Sequence, residues 1–173
     1  MNWPLVIMAL VTAQRLGELA LARSNTRRLM VRGAVEFGRG HYPAMLALHV
    51  AWLATLWLTV AGRAISAALL VVFAALQGLR VWVLATLGER WTTRIIVLPG
   101  APLVTRGPFR LLRHPNYAVV AGEIAVLPLV FGLWRVAVLF SALNAAMLCV
   151  RIGCEARALA QAGTGIASQR LEA

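Results

Sequence analysis

Between Arg106 and Tyr117 the chain reads R-G-P-F-R-L-L-R-H-P-N-Y, and Arg110, Arg113, His114, Asn116 and Tyr117 are polar in an otherwise apolar chain. Pro115 pushes the residue before it towards extended geometry and itself sits well in the first turn of a helix. Backbone N–H groups at a helix start attract anions, and arginines beside them add charge and bidentate donors. The cluster is therefore either a pocket for an anionic cofactor group or a basic juxtamembrane loop laid on lipid phosphates. Downstream, Arg151 and Glu155 stand at i, i+4, where opposite charges share one helix face. Arginine takes a carboxylate or phosphate, and glutamate accepts from ribose hydroxyls or an ammonium. Histidine and tyrosine add neutral hydrogen bonds and stacking, a mixture suited to a zwitterionic nucleoside cofactor. No G-x-G-x-x-G and no P-loop occurs, so a Rossmann or Walker site is unsupported.

Other polar residues lie inside apolar runs. Gln14, Arg15 and Glu18 fall in the first run, with Arg15 and Glu18 at i, i+3 and able to neutralise each other. They are either a functional group facing the bundle interior or an interhelical polar clamp. Gln77 and Arg80 share a face of the third run, where Arg80 either snorkels to the interface or faces a polar cavity. Glu123 sits within the fourth. His49, with no second ligand nearby in sequence, reads as a packed histidine.

Positioning these groups takes membrane helices. Hydrophobic residues make up 61% of the 173, above the apolar share of a soluble domain, and mean hydropathy is +0.78. The pattern predicts an all-α integral membrane protein with about five transmembrane helices, over roughly 3–22, 43–61, 64–87, 116–131 and 136–150. Residues 95–98 and 103–105 are apolar runs too short to span, set around Pro-Gly and Ala-Pro turns; they read as a small hairpin or an interfacial re-entrant piece. A single domain over 1–173 is expected. It comprises three spans over 1–87, a cofactor-binding loop, helical hairpin and C-terminal helix over 88–162, and a flexible tail over 163–173. The N-terminus lacks a basic region ahead of its apolar run, so no cleaved signal is read, and no lipidation box ends the chain.

The net charge of +11 comes from arginine, with no lysine and no aspartate in the chain. These arginines cluster in short loops between apolar runs, a topology signal that argues against nucleic acid as partner. Counting them puts the N-terminus outside and the first and third loops and the tail in the cytoplasm, with Arg110, Arg113, His114, Tyr117, Arg151 and Glu155 at that face. Without aspartate no aspartate-based metal cluster is available, Cys149 and Cys154 fit no zinc motif, and no metal is expected.

The run Leu103–Arg110 into Arg113-His114-Pro115-Asn116-Tyr117, followed by Arg151-x3-Glu155-x3-Leu159, resembles the isoprenylcysteine carboxyl methyltransferase family of membrane S-adenosylmethionine enzymes. The likeness covers roughly Gln77 to Leu159. It implies a cytoplasmic-face pocket for S-adenosylmethionine contacted by His114, Tyr117, Arg151 and Glu155, with Arg113 and Asn116 of the same cluster as further cofactor-binding candidates. It also implies methyl transfer to a lipophilic acceptor, either an isoprenylcysteine-type carboxylate or a lipidic phenol such as an alkylresorcinol. Arg80 on the preceding span is implicated at the acceptor. Arg15, Glu18 and Gln77 are candidate substrate contacts, and Glu123 or Glu18 a candidate base for a phenol. Val119 and Val120 stand where many members have glycine and an acid, and Glu155 is single where the family usually has a pair. Sterol reductases carry a comparable R-x-P-N-Y and use NADPH, which keeps a membrane reductase as an alternative. A non-enzymatic lipid-binding protein is a third.

Overall fold

Prolines near the start open three of the five helices. Pro4, Pro43 and Pro115 lie in the first turn of α1 (Trp3–Val31), α2 (Tyr42–Thr59) and α4 (Pro115–Val130), where the missing N–H costs no intrahelical bond. Between and after them run α3 (Ala67–Leu87) and α5 (Trp134–Leu171). The computed structural model describes residues 2–171, with side chains for 2–160; the tail over 163–173, read as flexible, lies outside the residues whose side chains are described. Four helices are long and apolar enough to cross a membrane, and α4 is a shorter apolar helix of 16 residues. The protein is an all-α integral membrane protein with five helices, as the hydropathy pattern indicates.

Two boundaries differ from the sequence reading. Hydropathy ends the first span near residue 22, but α1, 29 residues in all, runs on to Val31. Its extension holds Arg23, Arg27 and Arg28, good helix formers, and no helix breaker occurs before Gly33, whose φ of 83° ends the run. The short apolar run at Ile95–Val97 (β2) does not fold back on residues 103–105. It pairs antiparallel with Val35–Phe37 (β1) in the first loop, Glu36 opposite Ile96. Glu36 holds this ribbon in place through Arg94 at 2.9 Å and Arg39 at 3.1 Å.

The main core unites all five helices around Met8, Trp52, Leu56, Phe73, Ile124, Leu127 and Phe140. A second, smaller cluster forms where Ala22 of α1 meets Val83 of α3 and Trp91. There the buried Asn25 amide donates to the carbonyls of Gly88 (3.1 Å) and Trp91 (2.9 Å), fixing the end of α3 against α1. Gly107 (φ 60°) lets the loop before α4 press on α3: a Cβ there would lie 2.6 Å from Thr86 Oγ1.

Candidate active site

Three helices that each carry a charge into the apolar layer bring those charges together. Arg80 of α3 is almost fully buried. Its Nε donates to Glu123 Oε1 of α4 (2.8 Å), its Nη2 to Glu123 Oε2, and its Nη1 to Glu18 Oε2 of α1 (3.1 Å). Arg15 pairs with Glu18 at 2.7 Å, and its Nη2 lies 2.7 Å from Glu123 Oε1, an ion pair without hydrogen-bond alignment. Gln77 donates to Glu123 (2.8 Å) and accepts from Gln14 (2.8 Å), which also donates to Glu18 (2.9 Å). The clamp reading and the bundle-facing reading of Gln14, Arg15 and Glu18 thus describe one object. Two guanidinium groups face two carboxylates, so the cluster is neutral as a whole and every charge in it has a partner. Burying such charges is tolerable only with that pairing.

A second group forms at the start of α4. The Tyr117 hydroxyl donates to Glu155 Oε2 (2.5 Å) and accepts from Arg151 Nε (3.1 Å). Arg151 and Glu155 are therefore joined through the phenol rather than directly. The Arg151 guanidinium also lies over the Tyr117 ring at 5.6 Å and donates from Nη1 to Met45 Sδ at 2.8 Å. His114 stacks on Tyr117, with ring centroids 5.4 Å apart and planes 17° from parallel, and its Nδ1 is 3.9 Å from Glu155. Asn116 Oδ1 accepts from the Trp91 indole at 3.5 Å. Arg113 and Arg110 are exposed, with no ion-pair partner among the described residues.

One cavity of about 240 Å³ touches both groups. Arg15, Glu18, Arg80 and Glu123 line it, and so do Asn116, Tyr117 and Arg151. Between and below them its wall is apolar, with Leu16, Leu19, Leu53, Val120 and Ile124. On α4 the lining runs from Asn116 to Ile124 and on α5 from Asn144 to Arg151, about 10–12 Å of each helix at 1.5 Å per residue.

A family model for isoprenylcysteine carboxyl methyltransferases matches residues 64–161, more than half of the chain. The chain belongs to the isoprenylcysteine carboxyl methyltransferase family. The matched region holds Arg80, Glu123 and the whole Tyr117 group, while Arg15 and Glu18 lie ahead of it. Uncharacterized protein YpbQ of Bacillus subtilis (strain 168) is 37% identical over 168 residues, covering 89% of this chain and 95% of the relative. No solved structure matches the chain. Membership of this family makes it a multi-pass membrane protein of methyltransferase type.

Several wall residues were not singled out from sequence. Tyr42, Met45, Trp91, Thr92 and Thr93 line the cavity from the ribbon side. His49, read as a packing residue, bonds the Met45 carbonyl through Nδ1 (2.8 Å) and also lines the cavity. Asn144 does carry a sequence signal, a lone amide in an apolar stretch of α5. Among the described residues no group of three or more His, Cys, Asp or Glu side chains is placed to hold a metal ion.

Proposed function

We propose that this membrane methyltransferase is S-adenosylmethionine-dependent and methylates an oxygen on a lipophilic acceptor, with its cofactor side facing the cytoplasm. One observation carries the reading: a single cavity joins the Tyr117–Arg151 group to the buried Arg80–Glu123 cluster. The donor set at the first group suits the cofactor. Arg151 matches a carboxylate, Glu155 an ammonium or ribose hydroxyls, and the stacked His114–Tyr117 pair a flat base. Asn116 completes the wall. Arg113, exposed beside it, adds positive charge where an anionic group arrives. S-adenosylmethionine supplies an electrophilic methyl group when bound.

The chain's own residues must then hold and orient the acceptor oxygen. The four-charge cluster has no net positive charge to offer a carboxylate acceptor. Arg80 already gives its donors to Glu123 and Glu18. A phenol-type hydroxyl fits better: it arrives neutral, it can donate to a cluster carboxylate, and Glu123 or Glu18 can take its proton. Arg80 and Arg15 stabilise the oxyanion that remains, while Gln77 keeps Glu123 oriented. Holding the oxygen in line with the methyl group is the larger part of the protein's contribution, worth up to about 7–11 kcal/mol in favourable cases. α1, α3 and the middle of α4 thus serve the acceptor, while the start of α4 and Arg151 and Glu155 of α5 serve the cofactor.

The test is thermal stability of the purified protein with S-adenosylhomocysteine or NADPH, since a ligand selective for the native state must stabilise it, by about 2.7 kcal/mol at a hundredfold excess over Kd. The expected result is a shift with S-adenosylhomocysteine that is lost in His114→Ala and Glu155→Ala. Methyl transfer to an alkylphenol should fall at least about a hundredfold in Glu123→Gln, as for loss of a general base. A shift with NADPH alone would overturn the reading.

A further inference from the structure

Four buried side-chain polar atoms lack a hydrogen-bond partner among the described residues: Arg15 Nη2, Trp52 Nε1, Ser141 Oγ and Asn144 Oδ1. Arg15 Nη2 is ion-paired with Glu123, and Ser141 is not part of the cavity wall. Trp52 and Asn144 both line the cavity, and each is only 2% exposed. Their positions are linked. Arg151 of α5 touches Met45 of α2, and Cys154 beyond it lies against Gly38 ahead of α2, so the two helices run antiparallel. Trp52 is seven residues on from Met45, and Asn144 seven back from Arg151. That is nearly two turns, or about 10 Å, along each helix and on the same face. The indole and the amide thus stand at one level of the α2–α5 interface. Glu123 lies six residues past Tyr117, about 9 Å along α4, and Tyr117 bonds Arg151. The Arg80–Glu123 cluster therefore borders the cavity at this same depth, from other helices.

We propose that Trp52 and Asn144 form a second polar subsite of this cavity, one that takes a hydroxyl group of the acceptor other than the one that is methylated. That the reacting hydroxyl sits at the Arg80–Glu123 cluster rests on the methyltransferase reading above; the subsite itself does not. An indole offers only a donor, and the amide oxygen only an acceptor. One hydroxyl answers both: its oxygen accepts from Trp52 Nε1 and its O–H donates to Asn144 Oδ1. An ether or carbonyl oxygen answers the indole alone, a carboxylate meets the amide oxygen with like charge, and an alkyl chain answers neither. Within a membrane span such groups have no bulk water to turn to, so leaving them unpaired is costly. A few convergent polar groups in an apolar wall are also what fixes a ligand's orientation. With one oxygen held at the cluster and another between α2 and α5, the ring that carries them is held against rotation. The acceptor head is accordingly a dihydroxy ring of the resorcinol type rather than a simple phenol.

The experiment uses the full chain in lipid nanodiscs with two probes of equal chain length, 5-pentadecylresorcinol and 3-pentadecylphenol. Binding is read as the rise in melting temperature, and methyl transfer as kcat/KM. The resorcinol should give the larger rise and a kcat/KM at least about tenfold higher, beyond the statistical advantage of its two equivalent hydroxyls, because a site that hydrogen-bonds a hydroxyl rejects the analogue lacking it. In Trp52→Phe and in Asn144→Leu the ratio should collapse to that statistical advantage. Ser141→Ala removes an unpartnered hydroxyl outside the cavity and should leave the ratio as it is. Without ligand, Asn144→Leu should melt no lower than wild type, since an amide without partners loses none when replaced by an apolar group of similar size. A much lower melting temperature would show that the amide serves the fold, and would overturn the subsite. So would equal handling of the two probes by the wild type, which would leave the pair holding water only, or a ratio that persists in both folded variants. Resorcinol-selective binding abolished by Asn144→Leu, in a protein with neither an S-adenosylhomocysteine shift nor methyl transfer, would uphold the subsite and sink the methyltransferase reading.

Discussion

Tyr117 is the residue on which the proposed cofactor side turns, because its one hydroxyl serves both a cation and an anion. Tyr117→Phe keeps the ring that stacks on His114 but removes a donor to Glu155 and an acceptor for Arg151. Hydrogen bonds to charged groups contribute about 1.5–3 kcal/mol each. S-adenosylhomocysteine affinity in Tyr117→Phe should drop about tenfold to a hundredfold, read by calorimetric titration, and the melting temperature without ligand should fall as well, because both bonds are made in the ligand-free protein. Much of this group was legible in the chain, since His114, Asn116 and Tyr117 are consecutive around one proline and Arg151 and Glu155 share a helix face. The joining of Arg80 to Glu123 and Glu18 was only half legible. Each is conspicuous alone in an apolar run, but nothing local says that they meet. Met45 and Trp52 carried no signal, because a methionine or tryptophan in an apolar span looks the same whether it faces lipid, core or cavity.

At the scale of elements, the five helices followed directly from hydropathy, and the ribbon between the first loop and residues 95–97 did not. Three-residue strands have no period to detect, and their partners lie far apart in sequence. The ribbon matters because it carries the chain from α1 into α2 beside α5. Gly38 follows β1 with φ 64°, and a Cβ there would sit 2.3 Å from His41 Cε1 and 2.6 Å from Cys154 Sγ. Gly38→Ala meets both a left-handed backbone, costing about 1–2 kcal/mol for an L-residue, and a collision with a histidine and α5. Its melting temperature should fall by several degrees. Its S-adenosylhomocysteine affinity should weaken as well, because Cys154 adjoins Glu155; an unchanged affinity would detach the ribbon from the site.

For the molecule as a whole, the arginines predict an orientation. The loop between α2 and α3 carries only Arg63, and the first turn of α5 only Arg135, whereas the extension of α1 and the segment from residue 88 to 114 are rich in them and the far part of α5 adds Arg151 and Arg157. By the excess of positive charge on cytoplasmic loops, a reporter active only outside should work when fused at Gly62 and fail at Gly100, and a cytoplasmic reporter should do the reverse. The opposite pattern would put the Tyr117 group on the face away from soluble cofactors.

The pairing of charges across helices also constrains how the chain enters the bilayer. The first helix carries Arg15 and Glu18 already matched within itself. The third reaches the membrane with Arg80, a residue that costs about 2.5–3.5 kcal/mol at mid-helix by insertion scales; Glu18, the partner already made, is shared with Arg15, so one positive charge stays unmatched until Glu123 emerges later in synthesis. During translation α3 is thus a hesitant passenger of the insertion machinery. It should linger at the lateral gate until α4 is made, so that the two helices are released into lipid as a couple and the active site begins to assemble before the last helix has left the ribosome.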